Sequence, residues 1–600
     1  MTLVLGCAAS GGVATVPTRD ASTDTGPRRD VVTATDHVVA DAARDATTPT
    51  DVPVADDAPA DDAGTFDAGA PRDVPVVDVP PADVGSPVSV DVPPIVLGDV
   101  WLPERDAGSS TPHDTATVAT GAPADSATHF GGAVDGTRAP TLVYPEAGTI
   151  LPPNLAGFEV HFIPAAGTDL FEVAFAGDRG VVRLYTRCVA VGGGCVASFD
   201  EATYAEIARV SQPGEALTLT VRATAMAGGG VGGSATRSLG MTNANVRGGI
   251  YYWAAASGTV LRYEWGRTGA RAEPYLQGGI FDCVGCHTLS RDGSRMIAGR
   301  GIPGPSVAQV LDVASRGATS AGVGSNFATF SPDARWLLTS DGARLTLRDG
   351  VTAAEVPGLP GAQNGSMPDW SRNGRTVVFS RPRTVIPFFG SPGHNAPADL
   401  LTMAWNGSAF AAPAPFVTAA SNTENDYYPA FSPDDAWVVF NRSSAGSDNA
   451  IDAHLWLARA DRSTGPQRLV AADGPGDLGN SWPKWVPYLQ LYQGEPLLWV
   501  TFSSRRDYGL RLRQQSTAAD MRTVQLWMAA IRPTHATGGA DPSAPAFWLP
   551  FQDLRSGNHI AQWAEQVQRQ TCRVDSDCAP GERCLPAQNA TLLTYSCVAP

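Results

Sequence analysis

Lysine is almost absent from this sequence. A single lysine, Lys484, stands in a chain of 600 residues that holds 43 lysines and arginines together, so arginine supplies nearly all of the positive charge. We attribute this imbalance to genomic compositional bias and draw no function from it. The basic residues also form no cluster, which excludes the positively charged surface with which proteins bind nucleic acids.

Long hydrophobic runs are absent as well. No stretch of 18 apolar residues occurs, so the sequence predicts no transmembrane helix. Segment 4–7, VLGC, nevertheless matches a bacterial lipobox, whose cysteine, here Cys7, carries a lipid anchor. The charged start and apolar core of a full signal peptide are missing, and a chance match is the alternative. We predict a signal-peptide remnant (1–7) and an exported lipoprotein of the bacterial cell envelope, which contacts the membrane through this anchor only.

Aromatic residues are nearly missing between residues 8 and 138. Residues 1–140 hold 7 arginines, no lysine and 22 aspartates and glutamates, which gives −15 of the total charge of −17. Like charges repel and proline interrupts regular structure, so this stretch cannot bury enough apolar surface to offset its ordering entropy. The sequence therefore predicts a disordered, acidic tether over 8–138.

Short alternating apolar runs begin at residue 139. FEVHFIP, LFEVAFAG and ALTLTVRATA have the period of two that strands show, and turn residues separate them. This pattern predicts a β-sandwich over 139–245 and loosely resembles immunoglobulin-like and fibronectin type III modules. Cys188 and Cys195 flank a glycine-rich hairpin loop, where we expect a disulfide, the alternative being a free, buried pair.

A repeat follows over 246–552. An apolar residue ends a strand, a turn such as Ser-Pro-Asp comes next, and a second apolar strand follows. The aligned apolar positions recur every 40 to 62 residues, a period typical of propeller blades. They are Leu289, Phe330, Trp370, Phe431, Trp485 and Phe547.

The repeats resemble TolB-like, WD-type β-propellers, most specifically in the FSPD tetrapeptides at 330–333 and 431–434. The resemblance implies an all-β chain with a six-bladed propeller, in which segment 248–266 and the strand at Phe547 together complete one blade. It also implies a monomer whose channel mouth binds an envelope protein or a small ligand. The residues at 553–571 look helical and predict a helical connector.

Four cysteines lie within the last 29 residues, in a module predicted over 572–600. Their even number and close spacing indicate disulfides in an oxidising compartment, with three connectivities open. A zinc site is the competitor, although this tail contains neither a C-x-x-C pair nor a histidine. The four are Cys572, Cys578, Cys584 and Cys597.

The motif C-x-x-C-H occurs once, at Cys283, Cys286 and His287. This spacing attaches a c-type haem, with two thiols for the vinyl groups and an imidazole for the iron. A short Cys283–Cys286 disulfide and a metal site at His287 are the alternatives. The repeat alignment puts Cys286 level with Met367 and Tyr428, beside the central channel, so Met367 is the candidate second axial ligand.

The motif also resembles the propeller-like middle domain of the hydrazine synthase alpha subunit, which carries C-x-x-C-H within its blades. In that family a tyrosine binds the haem iron, and the motif histidine binds a metal. The matching neighbourhood here, TLSRDG, contains no tyrosine. The resemblance implies a haem-binding fold and does not imply hydrazine synthesis.

Two functions remain from the sequence. One is a tethered propeller with one covalent haem that transfers electrons. The other is a non-enzymatic scaffold for proteins or glycans, with Cys283 and Cys286 joined as a disulfide. No nucleophile, phosphate-binding loop or metal-protease motif can be assembled from spacing, so enzymatic activity is left undecided.

Overall fold

A computed structural model describes residues 112–211, 215–278, 284–300, 307–383, 397–444, 450–513, 523–578, 581–586 and 595–598. All of them belong to one contact unit that spans 90–600. Cys7, the predicted tether as far as residue 111, and Cys283 lie outside the described residues. Strands dominate the described structure, as the sequence predicts.

The N-terminal part consists of two sheets and one α-helix. Its elements are β1 (Thr115–Val118), β2 (Thr141–Tyr144), β3 (Ile150–Leu151), β4 (Gly157–Ile163), β5 (Leu170–Gly177), β6 (Gly180–Arg187), β7 (Val189–Val191), β8 (Gly194–Asp200), α1 (Glu201–Val210), β9 (Ala216–Thr224), β10 (Gly232–Gly233) and β11 (Arg237–Met241). One sheet has the order β1-β6-β5-β9-β11-β3, with β10 on β9, and the other has the order β2-β4-β8-β7.

Alternation in the sequence decides which side chains of these sheets are buried. In β4, Phe158, Val160 and Phe162 are all buried. Rings of the two sheets meet between them, since the Phe162 centroid lies 4.9 Å from that of Phe171 in β5. Cys188 and Cys195 form the predicted disulfide.

The middle part consists mainly of four-stranded groups. Its elements are β12 (Gly248–Ala254), β13 (Thr259–Trp265), β14 (Glu273–Leu276), β15 (Val284–Leu289), β16 (Arg295–Arg300), β17 (Val307–Asp312), β18 (Val323–Gly324), β19 (Phe327–Phe330), β20 (Trp336–Ser340), β21 (Arg344–Asp349), β22 (Gln363–Asn364), β23 (Ser366–Trp370), β24 (Thr376–Pro382), β25 (Ala398–Ala404), β26 (Ala414–Val417), β27 (Asn425–Phe431), β28 (Trp437–Ser443), β29 (His454–Arg459), β30 (Gln467–Arg468), α2 (Val470–Asp473), β31 (Ser481–Trp485), β32 (Gln490–Tyr492), β33 (Glu495–Ser504), β34 (Gln525–Ile531), α3 (Pro533–Thr537), β35 (Phe547–Trp548) and β36 (Asn558–Ala564).

Strand order within the groups follows chain order with one exception. The groups are β15-β16-β17-β18, β19-β20-β21-β22, β23-β24-β25-β26, β27-β28-β29-β30 and β31-β33-β34-β35, with β32 on β33, and the exception is β14-β13-β12-β36. One parallel pair, Ala398 of β25 with Asn425 of β27, joins the third and fourth groups into a single sheet. The first strand of each group contacts the first strand of the next, from β15 to β19, β23, β27 and β31. Strand β36 contacts both β31 and β15, so the contacts close into a cycle. This arrangement is a β-propeller-like fold.

We call the strands that contact one another in this cycle the inner strands, and the predicted turns follow them. After β19, Ser331 Oγ donates to Asp333 Oδ1 at 2.5 Å and accepts from the Trp336 amide at 2.9 Å. Ser432 binds Asp434 in the same way after β27. Side-chain hydrogen bonds within the turn therefore fix the angle between the first and second strands of a group.

The predicted helical connector is wrong, because its residues 558–564 form β36. This strand pairs antiparallel with β12, with Ile250 opposite Trp563, and every one of its residues is buried. The free edge of β12 needs a partner, and this tertiary pairing outweighs the local helical pattern. The strand at Phe547, β35, was expected to complete the group of β12, but it lies at the outer side of the group that begins with β31. Strand β36 completes the group of β12 instead.

A small cysteine-rich tail ends the described chain. Strands β37 (Arg583–Pro586) and β38 (Tyr595–Val598) form a hairpin. Disulfides join Cys572 to Cys584 and Cys578 to Cys597, which settles the connectivity and occupies all four sulfurs. No helix among the described residues is long and apolar enough to cross a membrane.

Candidate ligand site in the central channel

A backbone irregularity recurs in the inner strands of the propeller-like part. In five of these strands one non-glycine residue has a positive φ, close to 50°, a conformation uncommon for L-residues. The strand register shifts at each of the five, which identifies them as β-bulges. They are Cys286 (48°), Met367 (53°), Tyr428 (50°), Trp482 (56°) and Ile560 (54°).

These bulges turn their side chains toward a common pocket. All five bulge residues line it, and β19 contributes Phe327 at the equivalent position. The sequence alignment groups Cys286, Met367 and Tyr428, and all three lie on this lining. The cavity measures about 40 Å³, against roughly 300–1,000 Å³ for pockets that hold drug-sized ligands.

Aromatic side chains pack against each other at the centre of the ring of inner strands. The rings of Tyr428 and Trp482 stack with centroids 3.8 Å apart, and Phe327 lies 6.0 Å from Trp482 and 6.1 Å from Tyr428. The Tyr428 amide donates to Met367 Sδ at 3.4 Å. We call Phe327, Met367, Tyr428 and Trp482 the channel plug. It blocks the channel with packed side chains and leaves Phe327 and Trp482 partly exposed.

A charged pair lies next to the channel plug. The only lysine of the chain, Lys484, extends from β31, and its Nζ lies 3.1 Å from Asp369 Oδ1 on β23. Asp369 Oδ2 accepts a hydrogen bond from the Phe431 amide at 2.8 Å. Because the carboxylate is held from both sides, it links three inner strands.

His287 also lines this pocket, and its side chain is almost fully buried. Its Nε2 lies 3.2 Å from the Tyr251 carbonyl oxygen of β12. A carbonyl only accepts, so Nε2 carries the proton and Nδ1 does not, and Nδ1 has no hydrogen-bond partner among the described residues. Burial lowers the pKa of His287 to about 4, and the contact with Tyr251 opposes this shift only in part. The ring is therefore neutral at pH 7.

The described residues around the C-x-x-C-H motif do not fit a haem in this conformation. The cavity is about an order of magnitude smaller than a ligand pocket of ordinary size. His287 Nε2 donates to a carbonyl, which leaves Nδ1 as the ring nitrogen with a free lone pair, and Met367 Sδ accepts the Tyr428 amide. The position of the second thiol, Cys283, lies outside the described residues.

Several channel residues escaped the sequence interpretation. Phe327 and Trp482 stand three residues before the aligned Phe330 and Trp485, the same offset as Cys286 from Leu289. Extending the alignment by this offset in every repeat identifies them. Ile560 carried no such signal, because its strand was predicted as a helix.

Comparisons with known proteins give only distant similarities. No protein-family model and no curated protein matches the sequence. TolB from Acinetobacter baumannii is 10% identical, with a TM-score of 0.35 over 59% of this chain and 80% of TolB. Hydrazine synthase from Kuenenia stuttgartiensis is 13% identical, with a TM-score of 0.29 over 45% of this chain and 67% of that one. The dihydro-haem d1 dehydrogenase NirN is 12% identical, with a TM-score of 0.28 over 48% of this chain and 58% of NirN.

These TM-scores are low. The propeller-like fold is therefore assigned from the strand pairing and from the cycle of inner-strand contacts.

Proposed function

We propose that this chain is an exported interaction scaffold, in which a six-bladed β-propeller follows an immunoglobulin-like β-sandwich. In this proposal the acidic tether and a lipid on Cys7 hold it at the cell envelope. Three disulfides among the described residues support export, because disulfides persist in oxidising compartments. The propeller binds an envelope protein at its channel mouth and has no catalytic function.

The channel plug is the observation that carries this proposal. Packed rings exclude a small ligand from the channel, yet Phe327 and Trp482 keep part of their surface exposed. Partly exposed aromatic residues at the centre of a rigid ring are the anchors that protein interfaces favour. The β-bulge at Trp482 and the packing of Phe327 against Trp482 and Tyr428 hold these side chains in place, so little conformational entropy is lost when a partner binds.

The motif cysteines have a structural role in this proposal. Cys286 occupies a bulge with positive φ, and in this proposal it is joined to Cys283 by a disulfide. Haem attachment is the competing prediction. Its test is expression in a periplasm with haem-attachment machinery, followed by denaturing gels stained for haem peroxidase, with Cys283→Ala as the control. We expect no stained band, and a band that disappears in the control would overturn the disulfide proposal.

Site-specific crosslinking tests partner binding. A photoreactive amino acid replaces Trp482 in the channel plug or, as a matched control, Trp336, which is also half-buried but lies on a second strand away from the channel. We expect a discrete higher-mass adduct in intact cells from position 482 and none from position 336. Equal adducts, or none from either position, would contradict binding at the mouth.

A further inference from the structure

A second, larger cavity lies between the N-terminal sheets and the propeller-like part. Its volume is about 470 Å³, within the range of ligand pockets. Strands β4 and β8 form one wall, and the segments 508–511 and 548–555 form the other. It shares no lining residue with the channel pocket, and no sequence motif pointed to it.

Glu159 holds the two walls together. Its carboxylate accepts two hydrogen bonds of 2.6 Å from the Arg511 guanidinium, one of 2.9 Å from the Tyr508 hydroxyl and one of 3.1 Å from Ser198. Burial favours the protonated form, but His161, Arg511 and Tyr508 outweigh it and lower the pKa of Glu159 to about 2. The carboxylate is therefore ionised, and its hydrogen bonds join the two walls of the cavity.

The backbone behind this carboxylate is fixed as well. His161 Nδ1 accepts a hydrogen bond of 3.0 Å from the Leu510 amide, so its Nε2 carries the proton that faces Glu159 at 3.1 Å. Gly509 has a positive φ, and a side chain there would meet the His161 ring. The segment from Tyr508 to Arg511 is therefore held closely against β4.

Aromatic rings form the floor of the cavity, and their polar atoms are bound by the protein. The Trp548 ring stacks on Tyr508 with centroids 4.3 Å apart, and its Nε1 donates to Gln525 at 3.2 Å. The Tyr144 hydroxyl accepts from the Trp548 amide at 3.2 Å. Phe158 and Phe199 complete the floor. Among these rings Trp548 is partly exposed, whereas the other four are at most 5% exposed and support it from below, so the carbon face of Trp548 is the aromatic surface offered to a ligand.

Charged side chains surround the opening, and their charges cancel. Arg511, Asp553 and Arg555 are exposed, and together with the Glu159 carboxylate they contribute two positive and two negative charges. The Arg555 amide binds one oxygen of Asp553 at 2.9 Å, which orients that carboxylate. A net charge of zero favours an uncharged ligand, and carboxylates with guanidinium groups bind hydroxyls as acceptors and donors.

We propose that this cavity binds a neutral oligosaccharide. A pyranose ring presents C–H faces that pack on aromatic carbon and hydroxyls that reach the polar rim, the two chemistries that the floor and the rim provide. The volume of about 470 Å³ lies within the range of pockets that enclose drug-sized ligands, so part of an oligosaccharide fits inside. This site is independent of the channel mouth and goes beyond the proposed scaffold function.

Calorimetric titration of the full chain tests the proposal. The probes are the neutral hexasaccharides of glucose, xylose and N-acetylglucosamine, together with an anionic uronic-acid hexasaccharide and a short aromatic peptide. We expect saturable binding of at least one neutral probe and weaker binding of the anionic one. No binding of any neutral probe, or preference for the peptide or the anion, would overturn the proposal.

Two variants place the binding at this cavity. Asp553→Ala combined with Arg555→Ala removes two exposed rim groups, and we expect affinity to fall about tenfold or more, the effect of one or two lost hydrogen bonds. The matched control is Asp341→Ala with Arg344→Ala, another exposed pair in which the Arg344 amide binds the aspartate. If the rim variant fails to fold, Ser198→Tyr fills the cavity from the exposed face of β8 and abolishes binding. Unchanged affinity in the folded rim variant or in Ser198→Tyr refutes the site.

Discussion

Tyr428 and Trp482 lie stacked at the centre of the propeller-like ring, with centroids 3.8 Å apart and ring planes inclined by 24°. The two residues come from neighbouring inner strands, and each occupies a β-bulge with positive φ. Their contact therefore requires the same backbone irregularity in two repeats. The stacked rings of Tyr428 and Trp482 block the channel around which the inner strands are arranged.

Removing one ring of this stack opens the channel. We expect Trp482→Ala to lower the free energy of unfolding by about 2–4 kcal/mol, because it leaves a cavity among Phe327, Met367 and Tyr428. Urea denaturation followed by circular dichroism measures the change. Trp336→Ala is the control and costs less, since Trp336 meets Trp405 only edge-on at 6.0 Å. Equal losses in the two variants would contradict a packing role for the channel plug.

The Lys484–Asp369 pair can be tested by chemical labelling of a single side chain. Because Lys484 is the only lysine, acylation by an amine-reactive ester reports on this side chain and the amino terminus alone. We expect Asp369→Asn to speed the acylation of Lys484 severalfold, since the amide holds the ammonium less strongly than the carboxylate does. Peptide mass spectrometry after timed labelling measures the rate.

A double-mutant cycle measures the same pair energetically. Lys484→Met and Asp369→Asn, alone and combined, give a coupling free energy that we expect near 1 kcal/mol for this partly buried pair. A coupling of zero, with labelling of Lys484 unchanged by Asp369→Asn, would show that the 3.1 Å contact is absent in solution.

His559 makes the stability of the ring depend on pH. Burial, assisted by the charge of Arg505, lowers its pKa to about 3, below the unfolded value near 6.5. As pH falls from 7, the unfolded chain protonates first, so stability is lost between about pH 6.5 and pH 3, at up to about 1.4 kcal/mol per pH unit. Urea titrations at pH 7, 6 and 5 should show a shallower decline for His559→Phe. Parallel declines in the two proteins would contradict this role.

Glu159 acts in a lower pH range. Its folded pKa of about 2 lies below its ordinary 4.5, so its stabilising contribution is complete above about pH 4.5 and is lost as pH falls through 2. We expect Glu159→Gln to lower the free energy of unfolding by up to about 3 kcal/mol at pH 7, because each unit of pKa lowering corresponds to about 1.4 kcal/mol. The cost should shrink as the pH approaches 2, and chemical denaturation across this range measures it. A cost that is the same at pH 6 and pH 3 would rule out the ionised clamp.

Local signals in the sequence predict the repeats and their register. The Ser-Pro-Asp turns at 331–333 and 432–434 align the strands before them, and the alignment correctly places Cys286 level with Met367 and Tyr428. The disulfides were predicted for a similarly local reason, since the paired cysteines lie at most 19 residues apart.

Long-range packing accounts for what the sequence did not predict. Residues 558–564 look helical on their own and become a strand only against β12, about 300 residues earlier in the chain. The cavity at Glu159 is equally non-local, because its walls lie about 350 residues apart in sequence. Spacing within one segment carries no information about such contacts, and only the folded chain brings these residues together.

The pairing of β36 with β12 has a consequence for how a ribosome must make this protein. Strand β12 is synthesised early, but its partner emerges only after the other repeats have been translated, roughly 15–60 s later at ordinary elongation rates. During that interval one edge of β12, which contains Ile250, Tyr252 and Trp253, has no partner strand. Unpaired apolar strand edges promote aggregation. A chain truncated before residue 558 lacks β36 and therefore leaves this edge of β12 without the partner that it has in the full-length fold.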